Sequence, residues 1–190
     1  MAKKNDKEGF EAQFSLGLCY YMGDGVKQDY MKAVRWFRFA AEQGVVKAQY
    51  TLGVCLSDGE EVEQNYEEAL KWYKLAAEKG LAFAQLNLGL CYFYGRGLIQ
   101  DYKLAVKWFA LSAEQGVDEA YYNLGTCYRD GLGVIQNYGK AYKWYLLAKI
   151  NSTGELLEAA LINIKVLREE LTASQREHSE RKAEEIQRNK

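Results

Sequence analysis

The chain has 190 residues, 25 of them Lys or Arg against 26 Asp or Glu, and a net charge of −1, which gives no general attraction to nucleic acid or anionic lipid. At 48% hydrophobic and 27% charged it has ordinary globular composition, and without proline it shows no flexible linker, so one domain is expected. Its single histidine, His178, lies in a charged stretch, which excludes a histidine-based nucleophilic or metal-dependent site.

In chain order, residues 1–11 read as a polar lead-in. They carry no signal peptide, and no later stretch approaches a membrane span, so a soluble protein that stays in the cytoplasm is expected. From Ala12 the sequence repeats itself every 36 residues: Gly17, Gly53, Gly89 and Gly125 fall in one column, all four cysteines (19, 55, 91, 127) in a second and all four tryptophans (36, 72, 108, 144) in a third. A fixed period of this length marks a solenoid whose units bury their apolar faces on their neighbours. The copies are 12–47, 48–83, 84–119 and 120–151.

Each copy reads as two helices. In the third, Ala84, Leu88, Cys91 and Tyr92 share one face of a first helix, and Ala105, Trp108, Phe109 and Ser112 one face of a second. The loop between them has two glycines suited to positive φ and ends on a cap residue, which across the copies is Asp29, Asn65, Asp101 and Asn137. Gly44, Gly80 and Gly116 read as left-handed C-terminal caps. The glycine column inside the first helices implies close approach of a second helix, with Ala33, Ala69, Ala105 and Ala141 as the small residues opposite.

The string A-x-x-x-L-G-x-x-Y-x-x-G-x-G-x-x-x-[DN]-Y-x-x-A-x-x-W-[FY]-x-x-[AS]-A-E-x-G resembles the Sel-one-like repeat, a branch of the tetratricopeptide superfamily, over residues 12 to about 151. It departs at Leu56, where other copies have tyrosine, and at Glu61, where they have glycine. The resemblance implies an all-α, right-handed α/α superhelical solenoid of four helix pairs, and a scaffold or adaptor for other proteins. Some cysteine-rich secreted members are linked to β-lactam binding or hydrolysis. They pair two cysteines per repeat where this chain has one, and its sole Ser-x-x-Lys, Ser179 to Lys182, lies in the charged tail, so no enzyme is expected.

Beyond the fourth copy, Ser152 and Glu155 suggest a capping box opening a degenerate fifth first-helix, 152–172, which covers the last repeat with Leu157, Ala160, Leu161, Ile164 and Leu171. Lys165 stands where the glycine would be, so no further helix should pack closely on it. Residues 173–190 read as a charged, solvated and fraying helix.

The cysteines sit one repeat apart, and stacked helix axes are about 8–10 Å apart. That spacing forbids disulfides and a zinc cluster, so four free thiols are expected, with no metal and no cofactor. The Gly-x-Gly loops follow helices and read as inter-helix turns.

Counting about 100° per residue from Leu16, the fixed columns cluster on one side of the first helix and the variable ones on the other. In solenoids of the resembled superfamily that variable side lines the concave groove. Its apolar members and one arginine form the candidate partner-binding groove: Phe14, Leu18, Tyr21, Met22, Tyr50, Phe83, Leu86, Leu90, Phe93, Tyr94, Tyr122 and Arg129. Superhelical curvature would tuck some of these under adjacent helices, so groove and packing both stay open for each residue. Asn87 and Asn123 offer hydrogen bonds to a bound peptide, and packing explains them equally well. The partner expected is a protein or peptide; the rival reading is a homodimer burying the same face.

Overall fold

The computed structural model describes residues 2–59 and 62–188, and among these the secondary structure is all helical. The helices are α1 (Ala2–Met22), α2 (Tyr30–Glu42), α3 (Val46–Asp58), α4 (Tyr66–Glu78), α5 (Ala82–Tyr94), α6 (Tyr102–Glu114), α7 (Asp118–Asp130), α8 (Tyr138–Asn151), α9 (Gly154–Glu170) and α10 (Ala173–Arg188). This is the expected all-α succession of helix pairs, and the polar lead-in is continuous with the first helix. The chain forms two compact units, one of residues up to 91 with 95–99, the other of 92–94 with 100 onward.

In the first unit α1 packs on α2, α2 on α3 and α3 on α4. Every second helix starts as its cap residue predicts: Asp29, Asn65, Asp101 and Asn137 accept the backbone N–H of Lys32, Glu68, Leu104 and Lys140 at 2.8–3.0 Å. Each of the first three ends in a Schellman turn. Gly44, Gly80 and Gly116 take φ of 85°, 88° and 88°, and the N–H of Val45, Leu81 and Val117 closes onto Ala40, Ala76 and Ser112.

A glutamine column that carries no helical signal fastens the loops. The side-chain amides of Gln28, Gln64, Gln100 and Gln136 donate to the carbonyls of Tyr21, Ser57, Phe93 and Arg129 at 2.7–2.9 Å. The second loop glycine has a positional reason. A Cβ on Gly97 would lie 2.6 Å from the Tyr66 carbonyl oxygen, and one on Gly133 2.4 Å from that of Tyr102, so each loop presses on the second-helix start of the preceding copy. Gly25, with no copy before it, meets nothing within 4 Å. Glu60 and Glu61, where the second loop departs from the pattern, lie outside the described residues.

The glycines inside the first helices do mark close approach, but to rings rather than to alanines. A Cβ on Gly17, Gly53 or Gly125 would sit 2.7 Å from the ring of Phe37, Tyr73 or Tyr145. Ala33, Ala69, Ala105 and Ala141 are fully buried. The correction has a simple cause: an edge-on aromatic ring one turn further along the second helix reaches the glycine before any methyl does.

In the second unit α6 packs on α7, α7 on α8, and α8 on both α9 and α10. The cap helix buries Ala160, Ile164 and Leu167, with Leu171 beyond its end, while Leu161 is 42% exposed. No capping box opens α9. Ser152 Oγ turns back to the Ala148 carbonyl, and Thr153, at the cap position, makes no side-chain bond.

The capping box lies one helix later. Thr172 N–H donates to Gln175 Oε1 at 2.9 Å and Gln175 N–H to Thr172 Oγ1 at 3.3 Å, opening α10. The reading of a solvated, fraying tail is thereby corrected for residues 173–188. With few large apolar groups, α10 docks on α8 through small residues one turn apart, the buried Ser179 and Ala183, next to Gly139, and through the 3.0 Å bond from Tyr142 to Glu180. Side-chain size, not hydrophobic content, permits the contact.

Candidate functional site

The variable face of the first helices divides into three kinds of position. One column is inter-helix packing: Phe14, Tyr50 and Tyr122 lie on the rings of Phe37, Tyr73 and Tyr145 at centroid distances of 5.6, 6.2 and 5.3 Å, and Leu86 in the same column is buried. Phe14 and Leu86, at 8% and 6% exposure, therefore belong to the core and not to an open groove. The 3.6-residue repeat puts this column at the edge of the core face, where the second helix of the same copy covers it.

A second column is shared between copies in an alternating way. Tyr21 lies 6.3 Å from Phe37 and Phe93 6.0 Å from Phe109, ring on ring. In the even copies the second-helix ring is a tyrosine, and its hydroxyl finds a polar partner: Ser57 of this column for Tyr73 at 2.9 Å, and Thr126, one turn earlier on its helix, for Tyr145 at 3.0 Å. Arg129, half-buried, is committed to Asp130 at 2.7 Å and to Asn163, and the Asp130 carboxyl is held below its ordinary range by that guanidinium.

The remaining residues are open to different degrees. Met22, Tyr94 and Phe83 are exposed at 68%, 56% and 51%, Tyr21 less so, and Leu18 and Leu90 are half-buried. Phe83 lies 6.4 Å from the Tyr50 ring, so the two make one apolar surface.

Within the first unit this surface adjoins a cavity of about 250 Å³ between α3 and α5, lined by Tyr50, Val54, Ser57, Asp58, Tyr66, Tyr73, Asn87, Leu90, Cys91 and Arg96. Of the twelve residues chosen from the sequence, only Tyr50 and Leu90 line it. Val54, Ser57 and Asp58 lie on the same variable face of the second copy but are polar or small, so they do not stand out there as large apolar groups do. Arg96 comes from a loop; its guanidinium stands 5.7 Å from the Tyr66 ring centroid. The cavity thus has aromatic and aliphatic walls, hydroxyl and amide groups, and one exposed charge of each sign, Asp58 and Arg96.

The Tyr73 hydroxyl is driven up from its ordinary pKa by burial, against bonds from Ser57 and Asn87. Burial likewise pushes the Cys91 thiol up to about 11, so at neutral pH it is protonated and a poor nucleophile. Asn87 is thus engaged with a core hydroxyl. Asn123 and Asn163 donate at 2.8 Å to carbonyls one turn back, Glu119 and Ala159, and Asn163 also accepts from Arg129.

Nothing in the described residues groups His, Cys, Asp and Glu as a metal site would require, and no described helix is long and apolar enough to cross a membrane.

The model of the Sel1 repeat matches four times, at residues 10–45, 46–81, 82–117 and 118–149, two residues ahead of the register read from the sequence. Among solved structures the chain is similar to a Sel1 repeat protein from Oxalobacter formigenes, at 31% identity and a TM-score of 0.75, covering 87% of this chain and 73% of that one. It is also similar to a protective antigen present in uropathogenic Escherichia coli strains and displaying an SLR fold, at 28% identity and a TM-score of 0.63, covering 93% of this chain but 45% of the antigen. No curated relative matches. With four matched repeats spanning most of its length, the chain belongs to the Sel1 repeat family.

Proposed function

We propose that the protein is a non-catalytic scaffold in the cytoplasm that binds a segment of a partner protein at the cavity between α3 and α5, with the Tyr50–Phe83 surface as its apolar extension. The Sel1 repeat is commonly a protein-interaction module, which supports the class. The single observation that carries the site is the composition of the cavity: variable positions of two successive copies converge there, and Asp58 and Arg96 bring opposite charges to apolar walls. Apolar walls give area to bury, and paired charges fix the register of a peptide. None of the four cysteines forms a disulfide, which supports a reducing compartment.

The test begins with proteins captured from the native host by the immobilised chain and identified by mass spectrometry. A peptide from the captured partner should then bind wild type, with affinity at least about tenfold weaker for Leu90→Asp and for Asp58→Lys with Arg96→Glu. Undiminished binding by the charge-reversed protein, altered only at exposed positions, would place the site elsewhere even if Leu90→Asp fails to fold. Light scattering that shows a dimer disrupted by the same changes would replace the reading with self-association.

A further inference from the structure

The second unit holds a larger cavity, of about 620 Å³, between the start of α8 and α10. Its lining includes Lys140, Lys143, Lys182 and His178 and no carboxylate. In a chain of net charge −1, such a one-signed wall is a local arrangement and not a reflection of composition.

The lysines are not all neutralised by their neighbours. Lys182 pairs with Glu185 at 2.7 Å. Lys140 and Lys143 have no carboxylate partner among the described residues; their ammonium groups stand over aromatic rings, Lys140 at 5.1 Å from the Tyr128 centroid and Lys143 at 3.8 Å from that of Trp144. Burial first, and then the positive fields of Lys140 and Lys182, push the pKa of Lys143 down. The three charges are thus near enough to repel, and a bound anion would relieve that repulsion.

The neutral groups add donors. Asn137 Oδ1 accepts from the Lys140 N–H and Gln175 Oε1 from Thr172, which leaves the side-chain N–H groups of both amides as donors. Asn137 also marks the N-terminus of α8, where free backbone amides favour negative charge. The cavity falls within the size range of small-molecule sites, with room for more than an inorganic ion.

We infer that this cavity is an anion site that takes a phosphate monoester, held by Lys140, Lys143 and Lys182 at the α8–α10 junction. It is separate from the partner site proposed in the first unit. The shared chemistry is the doubly charged phosphate head; the ester is either a free metabolite or a phosphorylated side chain.

Backbone amide resonances of the full chain are followed by NMR during titration with inorganic phosphate, glycerol phosphate and a short phosphoserine peptide, at constant ionic strength maintained with chloride. The expected result is saturable shifts confined to residues 137–143 and 174–182, with tighter binding of whichever ester is the natural form. Lys143→Gln should weaken binding at least tenfold and Lys140→Gln severalfold, whereas Lys165→Gln on α9 should have no effect. Shifts that follow ionic strength alone, shifts spread over other lysines, or affinity unchanged in a folded Lys140→Gln protein would overturn the assignment. Lys140 is exposed, so its replacement keeps the test available should Lys143→Gln disturb the fold.

Discussion

The hydroxyls of Ser57 and Tyr73 meet at 2.9 Å across α3 and α4, and this contact shows how the even copies keep a tyrosine where the odd ones keep a phenylalanine. Tyr73 is 3% exposed, so its hydroxyl needs a partner inside the protein. Ser57 supplies one, as Thr126 does for Tyr145, while the odd copies face Phe37 and Phe109 with other rings.

Tyr73→Phe should therefore cost about 1 kcal/mol in urea unfolding, the usual net value of a satisfied hydrogen bond. Ser57→Ala should cost no more, since Asn87 still bonds the hydroxyl. The double variant should match the larger single effect. Strict additivity would show that the two hydroxyls are not coupled.

Gly125→Ala should destabilise by about 1–3 kcal/mol although alanine is the better helix former, because the new Cβ would sit 2.7 Å from the Tyr145 ring. In a Tyr145→Leu background the same change should cost clearly less. An equal cost in both backgrounds, by denaturant titration, would remove the ring as the cause.

Two loop glycines with the same sequence role should differ. Gly25 and Gly133 have φ of 69° and 71°, so alanine strains both backbones alike. Only Gly133 is pressed against Tyr102, so Gly133→Ala should cost at least about 1 kcal/mol more than Gly25→Ala. Equal melting temperatures for the two variants would contradict the inter-repeat contact.

The buried thiols should show in both reactivity and pH dependence. Burial raises Cys91 to about 11 and Cys127 to about 12 from an ordinary 9.0, so at pH 8 an aromatic disulfide reagent should label Cys19 and Cys55 well before these two. A folded-state pKa above the unfolded one means that the unfolded chain releases its protons first. Stability from these groups is then complete below pH 9 and declines as pH rises toward 11–12. Cys127→Ala should flatten that alkaline decline; labelling of all four thiols at one rate would refute the burial.

Much of the fold was legible because it depends on local chemistry repeated four times. The cap residues Asp29, Asn65, Asp101 and Asn137 act within three residues of themselves, and the glycines at positions 44, 80 and 116 take positive φ for the turn they sit in. The candidate site was less legible. Phe14 and Tyr94 look alike in sequence as large apolar residues on the variable face, yet one is 8% and the other 56% exposed. The docking of α10 is illegible in the sequence for a related reason: hydrophobicity measures how much a helix gains by burial, whereas Ser179 and Ala183 act by how closely they let α10 approach.

The sequence by itself determined the helix pairs, their caps, their period and the family, since each rests on contacts between residues close in the chain or one repeat apart. Only the tertiary structure decided that Gly17, Gly53 and Gly125 face rings, that Asp58 and Arg96 share one cavity with Leu90, and that three lysines from α8 and α10 surround another. Those outcomes depend on how far one helix rotates and slides against the next, and a hydrophobic period fixes the face of a helix without fixing that distance.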